Sequence, residues 1–217
     1  MTVTAKKLSP GRPTGQRNEE TREKLLVSAL EIFSQQGFEA ASVRKISANA
    51  GMDAALIRHY FGSKQGLWEE VICLAGEQFK AQSVIVFNEL AQHQGNVRKM
   101  LTVALNHFIN FSASHPQLAM FISNEATVAG PRIDFIVEQF VRPAFAQFMP
   151  LIKAGIEQGH VANSEPRILY FMLVHAITMP LAFPGLINQF PGEKVGSEEF
   201  VEQLRSAALA TFLLPEK

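Results

Sequence analysis

Residues 42–67, SVRKISANAGMDAALIRHYFGSKQGL, constrain this 217-residue chain more than any other stretch. Ser42 is placed to cap a helix whose apolar residues Val43, Ile46 and Ala50 recur at helical spacing. Gly51 supplies the left-handed or otherwise tight backbone that a sharp helix–helix corner needs. Asp53 then caps a second helix, from 54 to about 61. Leu56 and Tyr60 share one of its faces, Ile57 and Phe61 a neighbouring one, and Arg58 and His59 fall away from the most apolar side. Two short helices meeting at a Gly turn are what a helix-turn-helix requires, because the second must stand proud enough to enter a major groove. An ordinary helical hairpin in a core has the same spacing, so the basic segment upstream matters.

Residues 1–17 carry Lys6, Lys7, Arg12 and Arg17 and no acidic residue. Pro10, Gly11, Pro13 and Gly15 oppose helix, which predicts a flexible arm. Gly-Arg-Pro at 11–13 keeps the chain extended with the Arg12 guanidinium projecting, a shape suited to a narrow, electronegative minor groove. A solubilising tail is the competing reading.

The whole chain has a formal net charge of zero, so overall electrostatics do not point to nucleic acid. The distribution says more. Residues 1–70 hold 10 Lys+Arg against 8 Asp+Glu, leaving 10 against 12 beyond. Affinity for DNA must then come from local contacts, repeated in each subunit of an oligomer. The single cysteine, Cys73, excludes a disulfide framework within the chain and fits a reducing cytoplasm. It has neither a CxxC partner nor a nearby His, so it reads as a small buried hydrophobe, and no metal or cofactor is expected. The N-terminus lacks the apolar stretch of a signal peptide.

Residues 168–187, ILYFMLVHAITMPLAFPGLI, contain no Asp, Glu, Lys or Arg and are long enough to span a bilayer. His175, Pro180, Pro184 and Gly185 crowd the C-terminal part, where a span needs unbroken backbone bonds, and no basic cluster flanks it. A helix apolar on all sides also suits a subunit interface, and that is the reading adopted.

Caps and breakers divide the rest. Asn18 before Glu19 and Glu20 predicts the start of a first helix, with Leu25, Leu26, Ala29, Leu30, Ile32 and Phe33 buried and Gly37 at its end. Ser63 caps a long helix from Lys64 to about Ala91. Further helices are predicted over 97–112, 116–128, 131–158, 166–179 and 197–213. Pro143 and Pro150 fall inside the 131–158 helix, so a kink or short break is expected near Arg142–Pro143. Alternating strand patterns are missing, which makes the chain all-α.

Residues 17–68 resemble the DNA-binding domain of the TetR family of bacterial transcriptional regulators. The resemblance rests on Thr21-Arg22, on Ala29, Phe33, Gly37 and Phe38, on Ser42, Val43, Ile46 and Ala50-Gly51, and on Tyr60-Phe61-Gly-Ser63-Lys64 closing with Leu67. Arg58 stands where many members carry Tyr, adding a cation in or beside the recognition helix. The resemblance implies a three-helix helix-turn-helix domain followed by a larger helical ligand-binding and dimerisation domain. It implies a homodimer whose repression of transcription is relieved by a small molecule. The expected division is a basic arm at 1–17, a DNA-binding domain at 18–63 and an effector and dimerisation domain at 64–217.

Ser42, Val43 and Arg44 begin a helix whose free amides can approach a phosphate. Ala54 and Ala55 are small enough for close backbone approach and for contact with a thymine methyl. Arg58 and His59 can reach base edges or phosphates, and Tyr60 and Lys64 are assigned to phosphates. In the sensor half, polar residues set among apolar ones are His107, Asn110, His115, Asn124, Glu125, Gln147, Tyr170 and His175. Among 17 Phe, a pocket walled by Phe108, Phe111, Phe121, Phe145 and Phe148 is expected, with His107, Asn110, Glu125 and His175 as polar members. Leu169, Met172, Leu173, Ala176, Leu204, Ala208 and Phe212 are the expected dimer contacts.

The preferred reading is a ligand-responsive repressor that binds a near-palindromic operator and is released by a largely apolar effector. The alternative is an architectural or replication-linked DNA-binding protein of the same fold without an effector. An enzyme finds little support, since the chain has no Gly-rich phosphate loop, GxSxG elbow or paired metal-ligand spacing.

Overall fold

A computed structural model describes residues 14–215, and among these every regular element is helical. In chain order they are α1 (Thr14–Ala40), α2 (Val43–Asn49), α3 (Ala55–Phe61), α4 (Lys64–Ala91), α5 (Val97–Ser114) and α6 (Pro116–Ala126). They continue with α7 (Pro131–Ile136), α8 (Arg142–Glu157), α9 (Pro166–Ala182), α10 (Pro184–Ile187) and α11 (Glu198–Phe212).

The predicted caps around the turn form. The Ser42 side chain accepts from the Lys45 amide and the Ser63 side chain from the Gly66 amide. Asp53 Oδ1 accepts from the Ala55 amide at 2.7 Å, so the carboxylate caps α3 from two residues away. Gly51 takes φ 67° between α2 and α3, a left-handed conformation that residues with a Cβ adopt only at a cost. The first helix departs from expectation. It begins at Thr14 rather than Asn18, so residues 14–17, expected in the flexible arm, are helical: Gly15 disfavours helix but, unlike a proline, neither removes an amide donor nor clashes with the preceding turn. Asn18 caps nothing; its Oδ1 accepts from the Tyr60 hydroxyl at 3.2 Å. The break at Gly37 is present, with φ 72° and ψ 173° inside α1.

Two larger cores organise the bundle. The first gathers Leu25, Leu26, Ala29, Ile32 and Phe33 of α1, Ile46, Ile57, and Leu67, Trp68, Val71 and Ile72 of α4. Phe121 of α6 and Ile136 of α7 belong to it as well, so this core crosses the boundary expected at 63/64. α1 packs more extensively against α6 than against any other helix. The second core joins Leu101, Leu105 and Ile109 of α5 to Ile152, Leu169, Ile177 and Ala208. Between them lies a smaller cluster of Ala75, Phe79, Phe111, Leu118 and Ala144.

The expected break near Arg142–Pro143 takes another form. α7 runs through a π turn at Val137–Val141 directly into α8, with Pro143 in the first turn of α8. Pro143 has no amide to give the Gln139 carbonyl four residues earlier, and a wider turn accommodates that loss. The freed carbonyl points at α4, where a Cβ on Gly76 would stand 3.0 Å from the Gln139 oxygen. Glycine at 76 therefore permits the close approach of α4 to the π turn.

The apolar run at 168–187 breaks at Phe183, between α9 and α10. Among the described residues no helix is long and apolar enough to cross a membrane.

Candidate nucleic-acid interface and ligand cavity

On α2 and α3, Arg44, Arg58 and His59 are exposed, as are Ser42 and Ala55. No ion pair engages Arg44 or Arg58 among the described residues. The neighbouring Lys45 is exposed in the same way. Sequence reasoning overlooked it, although its place in the first turn after the Ser42 cap was a usable signal. The His59 ring packs edge-on to Tyr60 with centroids 4.9 Å apart, which limits the directions the imidazole can take.

Of the other expected DNA contacts, Val43, Ala54, Tyr60 and Lys64 are half-buried, and Tyr60 and Lys64 are bonded within the fold. Val43 is half-buried against the first core, and Ala54 is half-buried just before α3. Tyr60 is half-buried, its hydroxyl engaged with Asn18. Lys64 differs most from expectation. Its Nζ donates to the carbonyls of Phe38 and Ala41, at 2.9 and 3.0 Å, and lies 4.2 Å from the centre of the Phe38 ring. The ammonium thus satisfies backbone carbonyls left open at the end of α1, instead of projecting toward a phosphate. Arg12 lies outside the described residues.

A cavity of about 160 Å³ opens among α4, α5, α6, α8 and α9. Phe79, Phe108, Phe111, Phe140, Phe148 and Phe171 form much of its wall. Of the expected pocket residues, Phe108, Phe111, Phe148 and His175 line it. The others do not, and each has a partner that explains why. His107 binds Glu89 through Nε2 at 2.6 Å and Gln82 through Nδ1 at 3.3 Å, tying α5 to α4. Asn110 Oδ1 accepts from Arg205 at 2.8 Å, tying α5 to α11. Phe121 stacks on Trp68 with centroids 5.6 Å apart and belongs to the first core. Glu125 accepts from Arg132 Nε at 2.8 Å, and that bond holds the guanidinium pKa above its ordinary value. Phe145 packs edge-on against Tyr170 at 5.0 Å, behind the cavity wall. His115 and Tyr170, polar residues that the sequence sets among apolar ones, also line the cavity.

α6 connects the two regions. Leu118, Ala119, Ile122 and Ser123 line the cavity. From the same helix Phe121 enters the first core, while Asn124 Nδ2 donates to the carbonyls of Phe33 and Ser34 at 3.1 and 2.9 Å. Arg132 extends the clamp. It bridges Glu125 to Glu39 and lies 4.4 Å from the Phe38 ring centre.

The expected interface residues split between inside and outside. Leu169 and Ala208 are buried in the second core, and Leu173 and Phe212 line the cavity. Leu204 is half-buried. Met172, 59% exposed, and Ala176 face outward, together with Ile168, a neighbour on α9. An all-apolar helix hides which of its faces is the inner one, and here the 169/173/177 stripe turned inward.

The sequence comparisons agree with this geometry. The family model described as "Bacterial regulatory proteins, tetR family" matches residues 25–71, the stretch from α1 into α4. The probable HTH-type transcriptional regulator YttP of Bacillus subtilis (strain 168) is 24% identical over 169 residues, covering 78% of this chain and 81% of YttP. The HTH-type transcriptional dual regulator CecR of Shigella flexneri is 28% identical over 163 residues, covering 71% of this chain and 72% of CecR. The crystal structure of a HlyIIR mutant with residues 169–186 replaced by a linker shares the fold. Its TM-score is 0.69 at 22% identity, over 91% of this chain and 99% of that one.

Proposed function

Because the chain belongs to the TetR family of bacterial transcriptional regulators, we propose that it is a repressor that binds a near-palindromic operator as a homodimer and releases it when a small, largely apolar molecule enters the cavity. Residues 18–63 read DNA in this account, with the 1–17 arm alongside, and residues 64–217 hold the effector and the partner subunit. Arg44, Lys45, Arg58 and His59 supply the cationic and polar contacts. The single observation that carries the reading is α6, which walls the cavity with one face and grips the end of α1 with the other. A ligand that prefers one position of α6 therefore changes the relative stability of headpiece positions, which is what allosteric release requires. The long helix α4 shares the task, since Trp68 lies in the first core and Phe79 in the cavity wall. An apolar cavity of this kind favours the effector-responsive reading over an architectural one.

The test is selection of duplexes from a random pool, followed by a screen for compounds that release the selected DNA. The expected product is two inverted half-sites about 34–36 Å apart, or a multiple of that spacing. Failure to enrich any sequence overturns the reading.

A further inference from the structure

We propose that Tyr170 is the polar anchor of the cavity, and that the cavity selects a neutral molecule about one ring in size bearing a single hydroxyl or carbonyl group. The proposal rests on the reading of the cavity as a ligand site, and it is tested by binding alone, so release of DNA is decided separately.

Tyr170 is 6% exposed and lines the cavity, yet its hydroxyl has no hydrogen-bond partner among the described residues. Phe145 and Phe171 hold its ring edge-on at 5.0 and 5.3 Å, which fixes the direction of the hydroxyl. No side-chain oxygen or nitrogen among the described residues is both buried and unpaired, so this hydroxyl is open to the cavity, where a ligand oxygen or N–H can pair with it in apolar surroundings. The neighbouring polar groups are in part committed elsewhere. Ser112 Oγ donates to the Phe108 carbonyl, and the Nδ1 atoms of His115 and His175 bond the carbonyls of Phe111 and Phe171. Ser123 and Thr178 are half-exposed and open to water.

The charge of the ligand follows from what the wall lacks. No Lys, Arg, Asp or Glu lines the cavity among the described residues, so a carboxylate or ammonium would meet no permanently charged counter-ion there. Burial pushes the Tyr170 phenol up to about 12, which keeps it neutral and able to donate or accept. The volume of about 160 Å³ sets the size. Engineered apolar cavities of roughly 150 Å³ hold one benzene.

The experiment is calorimetric binding of acetophenone, 1-phenylethanol, ethylbenzene and benzoate to the full chain and to Tyr170→Phe, at pH 8. In the parent protein acetophenone and 1-phenylethanol bind, and benzoate binds at least about tenfold more weakly than acetophenone. Tyr170→Phe weakens the two oxygenated neutral probes by about tenfold, one hydrogen bond's worth, and leaves ethylbenzene within about twofold. Free Tyr170→Phe melts no lower than the parent, because the hydroxyl it lacks had no partner to lose. Equal losses for ethylbenzene and acetophenone, tighter binding of benzoate, no binding of any probe at millimolar concentration, or a lower melting temperature for the free variant would each overturn the proposal.

Discussion

Asn124 on α6 donates from Nδ2 to the Ser34 carbonyl on α1 at 2.9 Å, across 90 residues of sequence. The same amide reaches the Phe33 carbonyl, so one side chain anchors the last helical turns before the Gly37 break. Removing it leaves two carbonyls in a partly solvated place. Asn124→Ala is expected to lower stability in urea unfolding by about 1 kcal/mol, toward the low end for two lost bonds because water replaces them. It is also expected to shrink the ratio of DNA affinities with and without ligand, while ligand affinity stays the same. An unchanged ratio would take the clamp out of the coupling.

Lys64 separates a structural role from a DNA contact. Lys64→Met keeps much of the stem's packing but removes the ammonium from the Phe38 and Ala41 carbonyls. The expected cost is about 1.5–3 kcal/mol of stability in chemical denaturation without DNA, as for hydrogen bonds to a charged group. A variant as stable as the parent that bound DNA poorly would return Lys64 to the phosphate-contacting set.

The turn was legible because its determinants are local. Ser42, Asp53 and Ser63 each bond an amide two or three residues on, and Gly51 carries its conformation alone. The pocket was only half legible because its exclusions are tertiary. Nothing near Glu125 in sequence marks the Glu125–Arg132–Glu39 arrangement, which a turn and a second helix assemble. Lys64 meets carbonyls 23 and 26 residues earlier, beyond any periodicity rule. In α9, Leu169, Leu173 and Met172 are all apolar, and the packing of α5, α6, α8 and α11 decides which face is inner.

That choice revises the dimer prediction. Met172→Glu places a carboxylate on the outward apolar face of α9 and is expected to convert dimers to folded monomers in sedimentation velocity. Leu173→Glu buries a charge at the cavity wall and is expected to unfold or aggregate the protein instead. An undisturbed dimer for Met172→Glu would move the interface away from this face.

Alkaline stability reports on Tyr170. Its phenol is raised from the ordinary 10.0 to about 12 by burial, so the folded state holds a proton that the unfolded chain gives up near pH 10. The contribution is fully present below about pH 10 and is lost as pH rises toward 12. The expected loss is on the order of 2–3 kcal/mol. Comparison of the parent with Tyr170→Phe in urea melts from pH 9 to 11.5 isolates it, because the variant lacks this component of the decline. Parallel curves would mean that the phenol titrates normally.

The most direct measurement is a fluorescence-anisotropy titration of the selected duplex with the parent, with Arg58→Ala on α3, and with Lys153→Ala, an exposed cation on α8. The account predicts two protomers per duplex and a loss of about 1–3 kcal/mol for Arg58→Ala, with preference relaxed at one base position if Arg58 reads a guanine. Lys153→Ala should bind as the parent does. Equal affinity for parent and Arg58→Ala, or an equal loss for both variants, would contradict the assignment of α2 and α3 as the surface that reads DNA.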